Sequence, residues 1–536
     1  MTIPYVHWID ETVEKLAELK LEKYVLNSGI SVSGPIHIGH ARTELITPNA
    51  IKRGLEKKGF DAVHICILYT QDPLKSKVKR IVGKEFAEKW AGTRLIDVPC
   101  PYSCCSNWVE HYLKNFYETV KEFGLEVEFY TTTEIYREHP RMKEAIITCI
   151  EKRGELVEIL NKFRTKKLPE NYIPFMPLCN NCKSIDRTVA LSVDIDSYEV
   201  EYKCLKCGST GYSSMREGKL PWRVEWPALW YTFNVTFEPY GKDMAVAGGS
   251  MESASIIIRE IFGLKEPHHM FMEWVALLVN NKPVEMTSSG GVYFEFTEWT
   301  KVSDPRVLKY WYFYMKPNRH LTFEPSLIPK LNDLYDEAEK VYFNIVEEPD
   351  EKERQAKCRS FELANDDKPP KEPLLLPSYR FMSTIVQAIG LKLDREKILG
   401  ILKRTCHIDE STSDERIEAI MERAKQAIYW VSKYAPPQFR INVVEKLDES
   451  ILSKLTETDR NFFREIAEFI ESRKGIKPEV LEQVIYDKAR KHYKPHRKGF
   501  QKLYLIFLGT KSGPRIAPFL MTLDKSFVIK RLKLLE

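Results

Sequence analysis

Residues 23–69 do most to limit what this chain can become. KYVLNSGI is a short apolar run, and SVSGPIHIGH is a loop rich in glycine and proline. ARTELITPNAIKRGLEKKG then places apolar residues at helical spacing and closes on Gly59, and VHICILY is a second apolar run. Short apolar runs bounded by turn residues read as buried strands, and glycine is a common helix stop. Strand, loop, helix, strand opens a doubly wound α/β nucleotide-binding fold, with the loop at the carboxyl end of the first strand. At 536 residues the chain is too long for one core, so several domains are expected.

The loop carries GPIHIGH at residues 34–40. A helix that starts here offers free backbone N–H groups and the positive end of its dipole, both suited to phosphate. Gly39 lets a nucleotide ring approach the backbone. The imidazoles of His37 and His40 can hydrogen-bond a phosphate as charge builds on it.

Eleven cysteines, an odd number, argue against a disulfide framework. Cys179-x2-Cys182 and Cys204-x2-Cys207, 21 residues apart, form two knuckles of the zinc-ribbon kind. With no open fourth position, the expected ion is a structural Zn²⁺. Cys100, Cys104 and Cys105 read as ordinary buried or half-exposed cysteines. The net charge of +5 is mild and permits a polyanionic partner without proving one. Lysines and arginines crowd 75–84 and 488–502, the second group around Tyr493. No run of about 18 uncharged apolar residues is present, so no membrane span is expected. The opening MTIPYVHWIDETVEK lacks a basic stretch followed by an apolar one, and the expected compartment is the cytoplasm.

SGISVSGPIHIGHARTE resembles the signature of class I aminoacyl-tRNA synthetases. The wider pattern is similar to the class I lysyl-tRNA synthetases, found chiefly in archaea and some bacteria. GKLPWRVEWPALW (218–230), FEPYGKDMAVAGGS (237–250), FYMKPNRH (313–320), PSYRFM (377–382), WVSKYAPPQFR (430–440) and GPRIAPFLMTLDKSFVIKRL (513–532) fit that family, in its order. The resemblance implies a Rossmann-type catalytic half over 1–94 and a helical and zinc-ribbon insertion over 95–218. It then implies a second catalytic half over 219–320, a connecting stem over 321–377 and an all-α anticodon-binding domain over 378–536. The implied reaction is ATP-dependent attachment of L-lysine to tRNA(Lys) through lysyl-adenylate, with lysine, ATP, Mg²⁺ and tRNA(Lys) as partners and a monomer favoured.

The same resemblance assigns the site. Pro35, His37, Gly39, His40, Glu285, Met286 and Ser289 would bind ATP. His37, His40, Met286, Thr287, Ser288 and Ser289 would form the catalytic set. The family's ATP loop, led by Lys-Met-Ser, falls on VEMTSSGG (284–291), where Glu285 and Gly290 take the lysine positions. Losing one such charge typically costs ~2–4 kcal/mol in the transition state, with Lys282, Lys242 or Mg²⁺ as candidates to compensate. Gly29, Ser31, Asp72, Trp222, Glu225 and Glu252 are the implied substrate residues. A desolvated lysine ammonium needs an acidic partner, and Glu225, Asp72 and Glu252 are the candidates. Tyr69 and Thr70 replace the family's acidic pair, Met244 a histidine, and Met251 and Glu252 a Tyr-Asp pair. Trp222 matches the aromatic wall for the aliphatic stem, although Trp222, Trp226 and Trp230 at four-residue spacing suit core packing equally. These departures leave two rivals: a paralogue that binds RNA without charging it, and a synthetase for another amino acid.

Overall fold

The computed structural model describes residues 5–535 apart from Ala247, Asp448 and Lys474. The chain divides into two compact units. The first comprises Met1–Trp299, Leu308–Glu324 and Asp350–Pro369; the second comprises Thr300–Val307, Pro325–Pro349 and Pro370–Glu536.

The first unit is built on five parallel strands. These are β1 (Lys23–Ser31), β2 (Asp61–Tyr69), β3 (Glu128–Thr131), β7 (Phe237–Gly241) and β8 (His268–Met272), in the order β3-β2-β1-β7-β8. β1 and β2 pair from Lys23↔Asp61 to Ser31↔Tyr69. Both are buried almost without alternation, as expected of a parallel sheet covered on two faces. The chain lays β2 and β3 on one side of β1, then returns to lay β7 on the other. That reversal lies between β1 and β7, and doubly wound sheets bind ligands outside the carboxyl ends of the strands at such a point.

The segment between β3 and β7 carries helices Pro140–Glu151 and Arg153–Lys162. It also carries an antiparallel sheet, β4 (Thr188–Asp194), β5 (Glu199–Cys204) and β6 (Thr210–Ser214), in sequential order. β3 itself sits inside the stretch read from sequence as mostly helical. It is four residues long and half-exposed, so it shows no apolar run. A third sheet orders β10 (Lys282–Glu285), β9 (Val275–Val279) and β11 (Leu321–Phe323) as β10-β9-β11. β9 and β10 form a tight hairpin through Asn280 and Asn281, whose φ of 50° and 59° suit the two-residue turns that asparagine favours.

The second unit is helical throughout its described residues. Phe462, Phe463, Ile466, Leu503, Phe507 and Phe519 belong to one core cluster. The buried Arg423 guanidinium grips both oxygens of Asp336 at 2.6 and 2.8 Å. Much of the basic cluster is engaged internally: Lys488 and Lys491 pair with Glu465, Lys502 with Asp459, and Tyr493 donates to Asp459. Among the described residues no helix is long and apolar enough to cross a membrane.

Candidate active site

A cleft of about 610 Å³ opens at the carboxyl ends of the central strands. Gly29 and Ser31 reach it from β1, Tyr69 from β2, Gly241 from β7 and Met272 from β8. His37, Gly39 and His40 line it from the turn after β1. The two imidazoles lie nearly parallel with centroids 3.8 Å apart. Burial pushes His37 well down and His40 down to about 4. Both rings are therefore neutral at pH 7 and can serve as hydrogen-bonding groups, not as cations. His37 Nδ1 is buried without a hydrogen-bond partner.

The helix after this turn is not regular. Ala41–Ile46 forms a π-helical turn, with Thr47 N–H donating to the Arg42 carbonyl five residues back. The sequence supplies the reason in Pro48. Proline has no N–H, so the Glu44 carbonyl four residues earlier cannot receive the usual α-helical bond. That carbonyl instead accepts from Ser28 Oγ at 2.7 Å and lies 3.1 Å from His64 Nε2. The side chains of Thr43 and Glu44 are part of the cleft lining. Glu44 accepts from the Gly29 N–H at 3.0 Å, and burial pushes its carboxyl up to about 8.

The 284–291 loop closes directly on the histidine turn. Ser288 Oγ donates to the Pro35 carbonyl at 2.7 Å, and a Cβ on Gly34 would meet the Ser288 carbonyl oxygen at 2.7 Å. The loop folds back on itself through Thr287 N–H to the Val292 carbonyl at 2.7 Å. A Cβ on Gly290 would come within 2.2 Å of Thr287 Oγ1, so a side chain there would require the Thr287 hydroxyl to turn away. Glu285 and Met286 line the cleft; Thr287, Ser288, Ser289 and Pro35 do not. The segment 294–296 fixes the turn from the other side, with Ile38 N–H donating to Phe294 and Phe296 N–H to Ile36.

The Asp72 end of the cleft holds a cation of the chain's own. Lys219 Nζ sits 2.6 Å from Asp72 and 2.8 Å from Glu225. Burial works against its charge, yet the two carboxylates raise its hold on the proton. Asp72 also accepts from Ser31 Oγ at 2.7 Å, and Glu225 from Tyr136 at 2.8 Å. Gly29, Ser31, Asp72 and Trp222 all line the cleft. Glu225 and Glu252 do not: the first is fully buried beneath it, and the second caps the Gly248 N–H at 2.9 Å. The three tryptophans divide their roles. Trp222 faces the cleft edge-on to Tyr69, while Trp226 and Trp230 are buried and donate to Glu238. Sequence reasoning passed over Lys219, Glu44 and Asp243, because nothing local marks a residue as facing a cleft closed by distant strands.

Among the described residues two four-residue clusters have the geometry to hold a metal ion. The ligand atoms of Cys179, Cys182, Cys204 and Cys207 all lie within 4.8 Å of one another, with Sγ–Sγ distances of 3.6 Å for Cys179–Cys207 and Cys182–Cys204. Thiolates at about 2.3 Å from a tetrahedral ion stand roughly 3.8 Å apart, so the set fits. Hydrogen bonds from Ser209 hold the Cys207 thiol down to about 5. The second cluster, Cys100, Cys104, Cys105 and His111, meets the same criterion, with Cys104 Sγ 3.1 Å from His111 Nδ1. These cysteines were read from sequence as ordinary. The available signal was the Cys-x3-Cys-Cys-x5-His spacing.

A family model described as tRNA synthetases class I (K) matches residues 6–367. The chain is 36% identical to the lysine–tRNA ligase of Methanocaldococcus jannaschii, over 99% of this chain and 100% of that one. It is 34% identical to the enzyme of the same name from Methanococcus maripaludis, over 99% and 100%. With the one from Aeropyrum pernix it shares 34% over 98% and 97%.

Proposed function

The chain belongs to the class I tRNA synthetases of the lysine type, and from that membership we propose that it attaches L-lysine to tRNA(Lys) in two ATP-dependent steps. The lysine carboxylate attacks the α-phosphorus of ATP, pyrophosphate leaves, and lysyl-adenylate forms. A terminal ribose hydroxyl of the tRNA then attacks the lysyl carbonyl and AMP leaves. The observation that carries this reading is full-length similarity to three lysine–tRNA ligases, joined to a cleft at the strand-order reversal lined by His37, Gly39 and His40.

Catalysis here rests on positioning and electrostatics. The neutral His37 and His40 rings face the α-phosphate and offer N–H groups to its oxygens. Trp222 and Tyr69 flank the aliphatic stem of the amino acid. Mg²⁺ accompanies the triphosphate, and Zn²⁺ occupies the Cys179–Cys207 cluster as a fold-stabilising ion. The second unit, all helical, reads the tRNA.

Glu285 favours a second reading. A carboxylate projecting into the cleft repels a triphosphate, which suits a paralogue that binds tRNA without charging it. Amino-acid-dependent pyrophosphate exchange separates the two. Exchange with lysine supports the ligase. Exchange with another amino acid redirects the specificity. Absence of exchange with every amino acid, while tRNA still binds, supports the paralogue.

A further inference from the structure

ATP carries about four negative charges into this cleft, and the cleft offers few positive ones. Of its lining side chains only Lys75 and Lys219 are lysine or arginine, and both histidines are neutral. Lys219 is held by Asp72 and Glu225. Lys242, one of the compensating residues expected from sequence, pairs with Glu273 at 3.2 Å and lies over Trp274. Lys282 is exposed on β10 and does not line the cleft.

The wall opposite the 284–291 loop is different. Residues 75–80 read Lys-Ser-Lys-Val-Lys-Arg, with Val78 buried as the anchor and all the basic side chains exposed. Among the described residues Lys75 and Lys77 have no carboxylate partner within ion-pair distance. The segment abuts the loop itself, because a Cβ on Gly291 would lie 3.3 Å from Arg80 Cβ and 3.7 Å from Ile81. Burial and the nearby Asp243 raise the Glu285 carboxyl above its ordinary range, and Lys77 is close enough for its charge to oppose that rise. We propose that Lys75 and Lys77 hold the β- and γ-phosphates of ATP, so that the charge missing from the loop is supplied from the facing wall. The inference rests on the ATP-dependent reading above. It places the triphosphate between a basic wall and a loop that contributes backbone and shape.

Calorimetric titration with ATP and Mg²⁺ tests it without reference to any amino acid. Lys75→Ala/Lys77→Ala weakens ATP tenfold or more, leaves AMP affinity within twofold, and is restored at least in part by Glu285→Lys in the same chain. Lys84→Ala, which removes a charge from the same cluster, leaves ATP affinity unchanged. Equal ATP affinity in the double variant overturns the proposal, as does an equal loss for AMP or for Lys84→Ala. If ATP binds as described but no amino acid supports exchange, the phosphate site stands and the ligase reading falls. If the unaltered protein binds no ATP, both fall.

Discussion

The two sides of the cleft beside the histidine turn differ in kind. The histidine turn keeps both its shape and its chemistry: neutral stacked rings, a glycine between them, and backbone bonds to the 294–296 segment. The 284–291 loop keeps its shape alone. It docks on Pro35 through Ser288 and closes through Thr287 and Val292, yet it brings a carboxylate and a glycine to the positions where the resemblance implies ammonium groups. The contrast shows that loop geometry and loop charge are separable. Hydrogen bonds and close backbone approach set the first; the residues at 285 and 290 set the second.

The strongest way to break the contrast is at the turn. His37→Ala and His40→Ala each lower the pyrophosphate-exchange rate by about 10²–10³-fold, as expected when a donor aimed at developing charge is lost. A loss under threefold in steady-state exchange would mean the turn does not face the reacting phosphate. Next comes Glu285→Lys, which restores charge to a loop already in position and raises exchange about tenfold, within the range one placed charge commands. A flat response would show that shape, too, is wrong for ATP. Ser288→Ala removes one buried neutral hydrogen bond worth about 1 kcal/mol, so exchange falls about fivefold and proteolysis within 284–291 speeds up. The smallest effect is on stability. The unfolded chain binds a proton on His40 near pH 6.5, whereas the folded one does so only near 4. Between those values the unfolded state holds more protons, so stability falls as pH drops, by at most about 1.4 kcal/mol per unit for that group. Urea titrations at pH 7 and 6 show a decline to which the depressed His7, His37, His40 and His64 all contribute, and His40→Gln removes about 0.7 kcal/mol of it.

Local pattern makes the turn legible in the sequence alone. GPIHIGH announces itself by glycine and histidine spacing, and the four knuckle cysteines do so by their CxxC pairs. Residues whose meaning depends on distant partners were not legible. Lys219 reads as one more lysine until strands β1 and β2 bring Ser31 and Asp72 beside it. Glu225 looked like an acid for the substrate, but its helix turns it under the cleft floor towards Tyr136. β3 lacked an apolar run because only half its surface is covered. The Cys100 cluster draws one ligand, His111, from the helix Trp108–Leu113, and so lacked the symmetry that makes paired knuckles visible.

Pro48 has a consequence that reaches further than its own helix. A ring that withholds one amide hydrogen leaves a main-chain oxygen to Ser28 and His64, and the coil accommodates one extra residue in that turn. Thr43 and Glu44 thereby face the ligand space with a phase that an unbroken α-helix would not give them. The angular setting of Glu44 in the cleft wall is thus determined by an absent proton on a residue outside the lining.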